Sequence, residues 1–179
     1  MAKLMRFHFL LILLLAAMQP ALAGEAVCTL SSATLNYGVY SPGAAQDGAV
    51  DLDVTCTAPD DGGRWVCFNI GVRQGLSNNY TNRQMRHTTA TANLLNNQLY
   101  VDSARSQIWG DFNTGYAQIY GQMELNNGLP KSRTVTVRGY GRIASGQSKP
   151  KGTYQDPNIL MTLISVDNTG GGGGTTCPK

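Results

Sequence analysis

Histidine and charge are both scarce in this chain of 179 residues, and their scarcity limits the chemistry that it can perform. The sequence has two histidines, and charged residues make up 14% of it. A catalytic nucleophile needs a neighbouring base, which is most often histidine. His87 stands alone in a polar stretch, and we interpret it as a surface-loop residue. The sequence therefore predicts no enzyme, and it predicts neither a metal site nor another cofactor.

Basic residues are too few and too dispersed to form a nucleic-acid-binding surface. The formal net charge is +3, and it falls to +1 when Lys3 and Arg6 are excluded with the N-terminal leader described below. No dense basic run occurs, so we expect no nucleic-acid partner. Beyond the leader there is no apolar run of the roughly 20 residues that a membrane span requires. The scattered basic residues include Arg64, Arg73, Arg83, Arg86 and Arg105.

Residues 1–23 have the three-part pattern of a secretory signal peptide. Lys3 and Arg6 supply the positive start, residues 9–18 are apolar throughout, and Ala21-Leu22-Ala23 forms a small-residue cleavage site. This pattern predicts cleavage between Ala23 and Gly24. We therefore expect export through an inner membrane to the periplasm, and then to the cell surface or the exterior.

Four cysteines, Cys28, Cys56, Cys67 and Cys177, follow the predicted cleavage site. An even number in an exported chain indicates two disulfides, for which three connectivities are possible. Glycines 170–174 form a flexible tether that would let Cys177 return to the domain. We prefer the pairs Cys28–Cys56 and Cys67–Cys177. The alternative is a free or intermolecular thiol at Cys177.

Alternation of apolar and polar residues predicts a mostly β domain. Residues 50–56 alternate strictly and put Asp51 and Asp53 on the solvated face. The polar segment 78–91 is expected to be a loop, and 92–99 could form at most a turn or two of helix. Short strands separated by turns indicate an antiparallel sandwich. The remaining strand candidates are residues 65–72, 99–101, 117–125, 134–143 and 159–166.

Two further features have binding as well as structural interpretations. Trp65 and Trp109 are candidates for stacking on a sugar, although packing in the core is the commoner fate of a strand aromatic. Asn79-Tyr80-Thr81 matches a glycosylation sequon, a match that is frequent by chance.

Three stretches of the sequence are more specific than its composition. They are Cys28-Thr29-Leu30 with residues 35–40 and Val54-Thr55-Cys56; residues 99–105 with Ile108-Trp109-Gly110-Asp111; and residues 140–147 with Gly152-Thr153-Tyr154-Gln155-Asp156. In this order they resemble the spore coat protein U domain family, which includes subunits of archaic chaperone–usher pili of the Csu type. The resemblance extends over about residues 28–166.

The resemblance implies an immunoglobulin-like antiparallel sandwich that lacks one strand. A partner supplies that strand, first a periplasmic chaperone and then a neighbouring pilus subunit, while an outer-membrane usher directs assembly. The Cys28–Cys56 pair also fits the family's link between its first and second strands. We thus expect residues 24–166 to form this domain and residues 167–179 to form a glycine-rich tail that contains Cys177.

The chain departs from the family pattern at three places. Only residues 24–27 stand between the predicted cleavage site and Cys28, and they extend at most about 14 Å, which is too short for a donor strand. Pro157 lies where the last strand should begin, and the tail continues beyond that strand. An open alternative is that this tail completes the fold within the chain, which would argue against polymerisation. We therefore expect a structural pilus subunit, at the tip or another terminal position, that supports adhesion or biofilm formation. The alternative is a self-contained secreted module that binds a surface or a glycan.

Overall fold

The computed structural model describes residues 24–168, in which the regular structure is β-strand except for one 3-10 turn at Gly75–Ser77. Every strand pairing in this part of the chain is antiparallel. The strands are β1 (Val27–Leu30), β2 (Gln46–Thr57), β3 (Arg64–Val72), β4 (Arg83–His87), β5 (Leu94–Tyr100), β6 (Ile119–Leu125), β7 (Ser132–Ile143), β8 (Tyr154–Gln155) and β9 (Met161–Asn168).

The strands form two sheets that pack face to face. The larger sheet has the order β1-β2-β7-β5-β4-β8, and the smaller has the order β6-β3-β9. The longest ladder joins β2 to β7, from Gln46 opposite Ile143 to Thr57 opposite Ser132. This arrangement confirms the predicted all-β antiparallel sandwich.

The core lies between the sheets because one face of each strand is apolar. On β2, Leu52, Val54 and Cys56 are fully buried, while Asp51 and Asp53, at alternate positions, are exposed, as predicted. These residues pack with Phe68 of β3 and with its buried neighbours on that strand. Burying each such side chain contributes about 1.5–3 kcal/mol to folding.

Two glycines of β7 let aromatic side chains lie directly against the backbone of the larger sheet. A Cβ atom added at Gly139 would collide with the ring of Trp109, and one added at Gly141 would collide with the hydroxyl of Tyr37. Trp109 is 2% exposed, and its indole N–H donates to the carbonyl of Ile70 at 2.8 Å. This indole therefore serves the core and is not available for stacking on a sugar.

Three local expectations from the sequence are wrong. The polar segment 78–91 contains β4, and residues 92–99 lie largely in β5, with no helix there. His87 is the last residue of β4 and is 8% exposed, so it is not a surface-loop residue. Its Nδ1 accepts hydrogen bonds from the backbone N–H groups of Thr89 and Ala90. The sequence pattern did not predict β4 and β5, because polar side chains occupy inward positions where the pattern requires apolar residues.

Candidate functional site

An extended segment at residues 33–37 crosses the edge of the sandwich without joining either sheet. Ala33, Leu35 and Tyr37 are half-buried, and Thr34 and Asn36 between them are exposed. This is the alternation of a strand, yet no backbone hydrogen bond is recorded for residues 32–36 within the part of the chain that the structure describes. Bonds from Ser31 N–H to the carbonyl of Asp53 and from Tyr40 N–H to that of Gly152 hold the segment at its two ends.

Strand β9 presents a second backbone edge. Its residues pair with β3 from Met161 opposite Val72 to Asn168 opposite Trp65. Among residues 24–168 no strand pairs with its other side. β1 approaches β9 at one end of this gap. Pro157 precedes β9, so it does not interrupt the ladder.

A cavity of about 310 Å³ lies between the sheets beside these two edges. At about 30 Å³ per molecule this volume equals that of about ten waters, which is enough to receive side chains. Most of its wall is apolar. The apolar residues of the wall include Leu35, Val50, Val72, Leu99, Ile159 and Met161.

One end of the cavity is polar, and Arg83 is its central residue. This arginine is 1% exposed, and its guanidinium donates to the carbonyls of Trp109 at 2.8 Å, Val72 at 3.3 Å and Arg73. The guanidinium also lies 5.2 Å from the ring centre of Tyr80. Burial lowers the pKa of Arg83 to about 10, so the side chain remains protonated at neutral pH.

Asn97 lies beside Arg83 because the two residues are directly opposite each other on β5 and β4. Its amide donates to the hydroxyl of Tyr37 at 3.4 Å. Burial raises the pKa of Tyr37 to about 12, which keeps its hydroxyl neutral. Arg83 Nε and Asn97 Oδ1 are both buried without a hydrogen-bond partner in the described structure.

Residues 24–30, which precede the cavity-lining residues in the sequence, are held to the rest of the domain by a disulfide and a hydrogen bond. Cys28 and Cys56 form a disulfide between facing residues of β1 and β2, as the preferred connectivity requires. Ala26 is 9% exposed, and the carbonyl of Gly24 accepts from the Arg64 guanidinium at 2.9 Å. Residues 24–30 are thus part of the sandwich.

Some residues singled out in the sequence lie within the described structure, and others lie outside it. Cys67 lies on β3 and is 8% exposed, but Cys177 is outside the described residues, so their pairing stays a prediction. The signal peptide with Ala23 and the glycine tether also fall outside them. Asn79 is exposed, and its side chain accepts from Thr81.

The described residues contain neither a metal-binding cluster nor a helix that could span a membrane. Residues 24–168 contain no group of three or more His, Cys, Asp or Glu side chains that could hold a metal ion. No helix in the same part of the chain is long and apolar enough to cross a membrane.

The sequence did not reveal the polar end of the cavity. Arg83, Asn97 and Tyr37 come from three separate segments, and the first two lie in regions expected to be irregular or helical. A period-two pattern is present in Arg83, Met85 and His87, which are all buried. A strand search would detect this segment only if it accepted polar residues at inward positions.

Comparison with known proteins gives two matches over most of this chain. The sequence profile of the Spore Coat Protein U domain matches residues 14–160. The chain is also similar to "Protein U" of Myxococcus xanthus, with 31% identity over 137 residues, which cover 73% of this chain and 70% of that protein.

Proposed function

We propose that this chain, which belongs to the Spore Coat Protein U domain family, is a structural subunit of a surface pilus built by a chaperone and an usher. In this proposal the subunit accepts a strand from a periplasmic chaperone and later from a neighbouring subunit. No covalent bond is made or broken. The role is structural, in support of adhesion or biofilm formation, and the matched family is not a family of enzymes.

The observation that carries the proposal is an apolar cavity bordered by two backbone edges that no strand of residues 24–168 pairs with. Residues 33–37 lie on one side and β9 on the other. An exposed strand edge is a template for another strand. An added strand would bond to the free backbone groups and place alternate side chains in the cavity, which is the mode of β-strand addition.

The way the start of the domain is held supports a terminal place in the fibre. Gly24, Ala26 and β1 are all engaged with the rest of the sandwich. They would have to detach before they could enter the groove of another subunit. We therefore propose that this subunit receives a strand and does not use these residues to donate one.

The protein works outside the cytoplasm, as the Cys28–Cys56 disulfide and the spore-coat family indicate. The finer route is part of the proposal. The predicted signal peptide takes the chain to the periplasm, and assembly takes it to the cell surface.

The test is periplasmic expression of the full precursor with and without a cognate chaperone, followed by measurement of soluble monomer and co-purified chaperone. Ile159→Arg puts a charge into the cavity wall. Leu160→Arg is its matched control, because Leu160 is the next residue, is 55% exposed and lies outside the wall. We expect a one-to-one chaperone complex with the natural protein and with Leu160→Arg, but not with Ile159→Arg. A cooperatively unfolding monomer that needs no chaperone and binds none would refute the proposal.

A further inference from the structure

The polar end of the cavity contains two buried atoms for which residues 24–168 supply no hydrogen-bond partner. Arg83 Nε is a donor and Asn97 Oδ1 is an acceptor, and both residues line the cavity. Leaving a buried polar group unpaired costs about 1–3 kcal/mol, and more when the group is charged. This cost is recovered when an occupant of the cavity supplies the missing bonds.

Strand pairing fixes the positions of Arg83 and Asn97 on the larger sheet. Arg83 and Asn97 face each other across β4 and β5, so their side chains share one face of the larger sheet. Arg83 is held by the three carbonyls described above, and Asn97 is held by Tyr37. The unpaired donor and acceptor therefore belong to one prearranged subsite.

Charge near the subsite favours a neutral occupant. Asp156 also lines the cavity, and its negative charge acts on Arg83. Among the described residues no carboxylate forms a salt bridge with Arg83. An incoming carboxylate would gain attraction from Arg83 but would be opposed by Asp156. A carboxamide avoids this repulsion and presents both an acceptor and a donor.

We infer that Arg83 and Asn97 form a specificity subsite that selects a glutamine or asparagine side chain on the strand inserted into the cavity. The carboxamide oxygen accepts from Arg83, and the carboxamide N–H₂ donates to Asn97. The apolar wall binds the neighbouring inward side chains. This inference rests on the proposed strand-acceptor function and adds a sequence requirement to it.

The test uses synthetic nine-residue peptides of alternating Val and Thr with lysines at both ends for solubility. In separate peptides each Val is replaced by Gln, Glu or Leu, so that every register is sampled. Calorimetry measures their Kd for the mature chain. We expect the Gln peptide in the correct register to bind about tenfold more tightly than the all-Val host, which corresponds to about 1.4 kcal/mol.

Asn97→Leu should bind the Gln peptide no more tightly than the all-Val host, and its far-UV circular dichroism spectrum should match that of the natural protein. Asn96→Leu is the control, because Asn96 is exposed and its side chain accepts from Gln84 instead. The Arg83 Nε–H signal in a ¹H–¹⁵N spectrum should shift with the Gln peptide and not with the host.

The outcomes separate the inference from the function on which it rests. Equal binding of Val and Gln peptides in every register, or tightest binding of Leu or Glu, overturns the inference while strand insertion stands. If no peptide binds, the strand-acceptor function fails and the subsite fails with it.

Discussion

Tyr37, the last residue of the extended segment 33–37, contacts the wall of the cavity. Its hydroxyl lies against Gly141 and receives a hydrogen bond from Asn97. The side chain thus fixes the distance between the extended segment and the larger sheet. Its ionisation provides a way to measure that contact.

Replacement of Tyr37 by Phe should reduce the loss of stability at alkaline pH. Burial raises the pKa of Tyr37 from 10.0 to about 12, so folding favours the neutral hydroxyl. Its contribution is complete below pH 10 and is lost as the pH rises through 12, with an upper limit of roughly 2–3 kcal/mol. Urea unfolding of both proteins between pH 9 and 12 measures the difference.

Tyr80 and Tyr154 also have pKa values raised by burial, and they remain in both proteins, so the comparison isolates Tyr37. An equal loss of stability in the two proteins would show that the Tyr37 hydroxyl is not buried.

Replacement of Gly141 by Val should destabilise the protein by about 1–3 kcal/mol, because the new side chain must displace Tyr37 and Leu35. For a domain of this size that is a fall in Tm of several degrees. Gly62→Ala is the control, since a Cβ there would meet only side-chain atoms, Asp60 Oδ1 at 3.2 Å and Arg64 Nη2 at 3.8 Å. A Tm that matches the control would show that the segment at 33–37 does not press on β7. The Tm of both variants is measured by thermal denaturation, which is followed by circular dichroism.

At the level of elements, the disulfide fixes β1 to β2. It joins residues separated by 28 positions, and the chain-entropy relation assigns such a loop about 3–4 kcal/mol. We expect Cys28→Ala with Cys56→Ala to lower the free energy of unfolding by this amount in a urea titration. Mutation is preferable to a reductant, because a reductant would act on every disulfide of the chain.

The adjacent pair Thr29 and Thr55 faces solvent in the same ladder and supplies the control. The double replacement Thr29→Ala with Thr55→Ala should cost less than 1 kcal/mol, as is usual for surface positions. If the two double variants lose the same stability, the disulfide contributes nothing beyond its place in the ladder.

The sequence predicted β2, β3, β6, β7 and β9, and the alternation is clearest in three of them. β2, β6 and β7 combine apolar inward residues with polar outward ones, and the structure follows that pattern. β4 and β5 were missed because Arg83, His87 and Asn97 occupy inward positions where a pattern search expects apolar residues. The two edges of the cavity were implied by the family resemblance, but its polar end depends on pairing between distant segments. Sequence alone does not place such residues together.

For the molecule as a whole, a β9 edge that no other strand of the described range covers predicts self-association. Ile164 is 45% exposed on this strand, and charged residues on edge strands oppose pairing with another chain. We expect Ile164→Lys to raise the monomer fraction of the mature protein in the absence of a partner. Size-exclusion chromatography with light scattering measures that fraction at several concentrations.

Asn69→Lys is the matched control, because Asn69 lies opposite Ile164 on the central strand β3. It adds the same charge without touching an edge. An equal gain of monomer in both variants would mean that net charge, and not edge pairing, governs association.

The pairing of β2 with β7 also has a consequence in time. The closest partners in this ladder, Thr57 and Ser132, are 75 positions apart. Ribosomes add about 5–20 residues per second, so β2 emerges roughly 4–15 s before its partner has been synthesised. Contacts between such distant residues also form slowly once both strands exist. The backbone edge of β2 that β7 later occupies is therefore unpaired for seconds in every newly made molecule, whereas β3, which follows β2 directly in the chain, is available early to cover its apolar face.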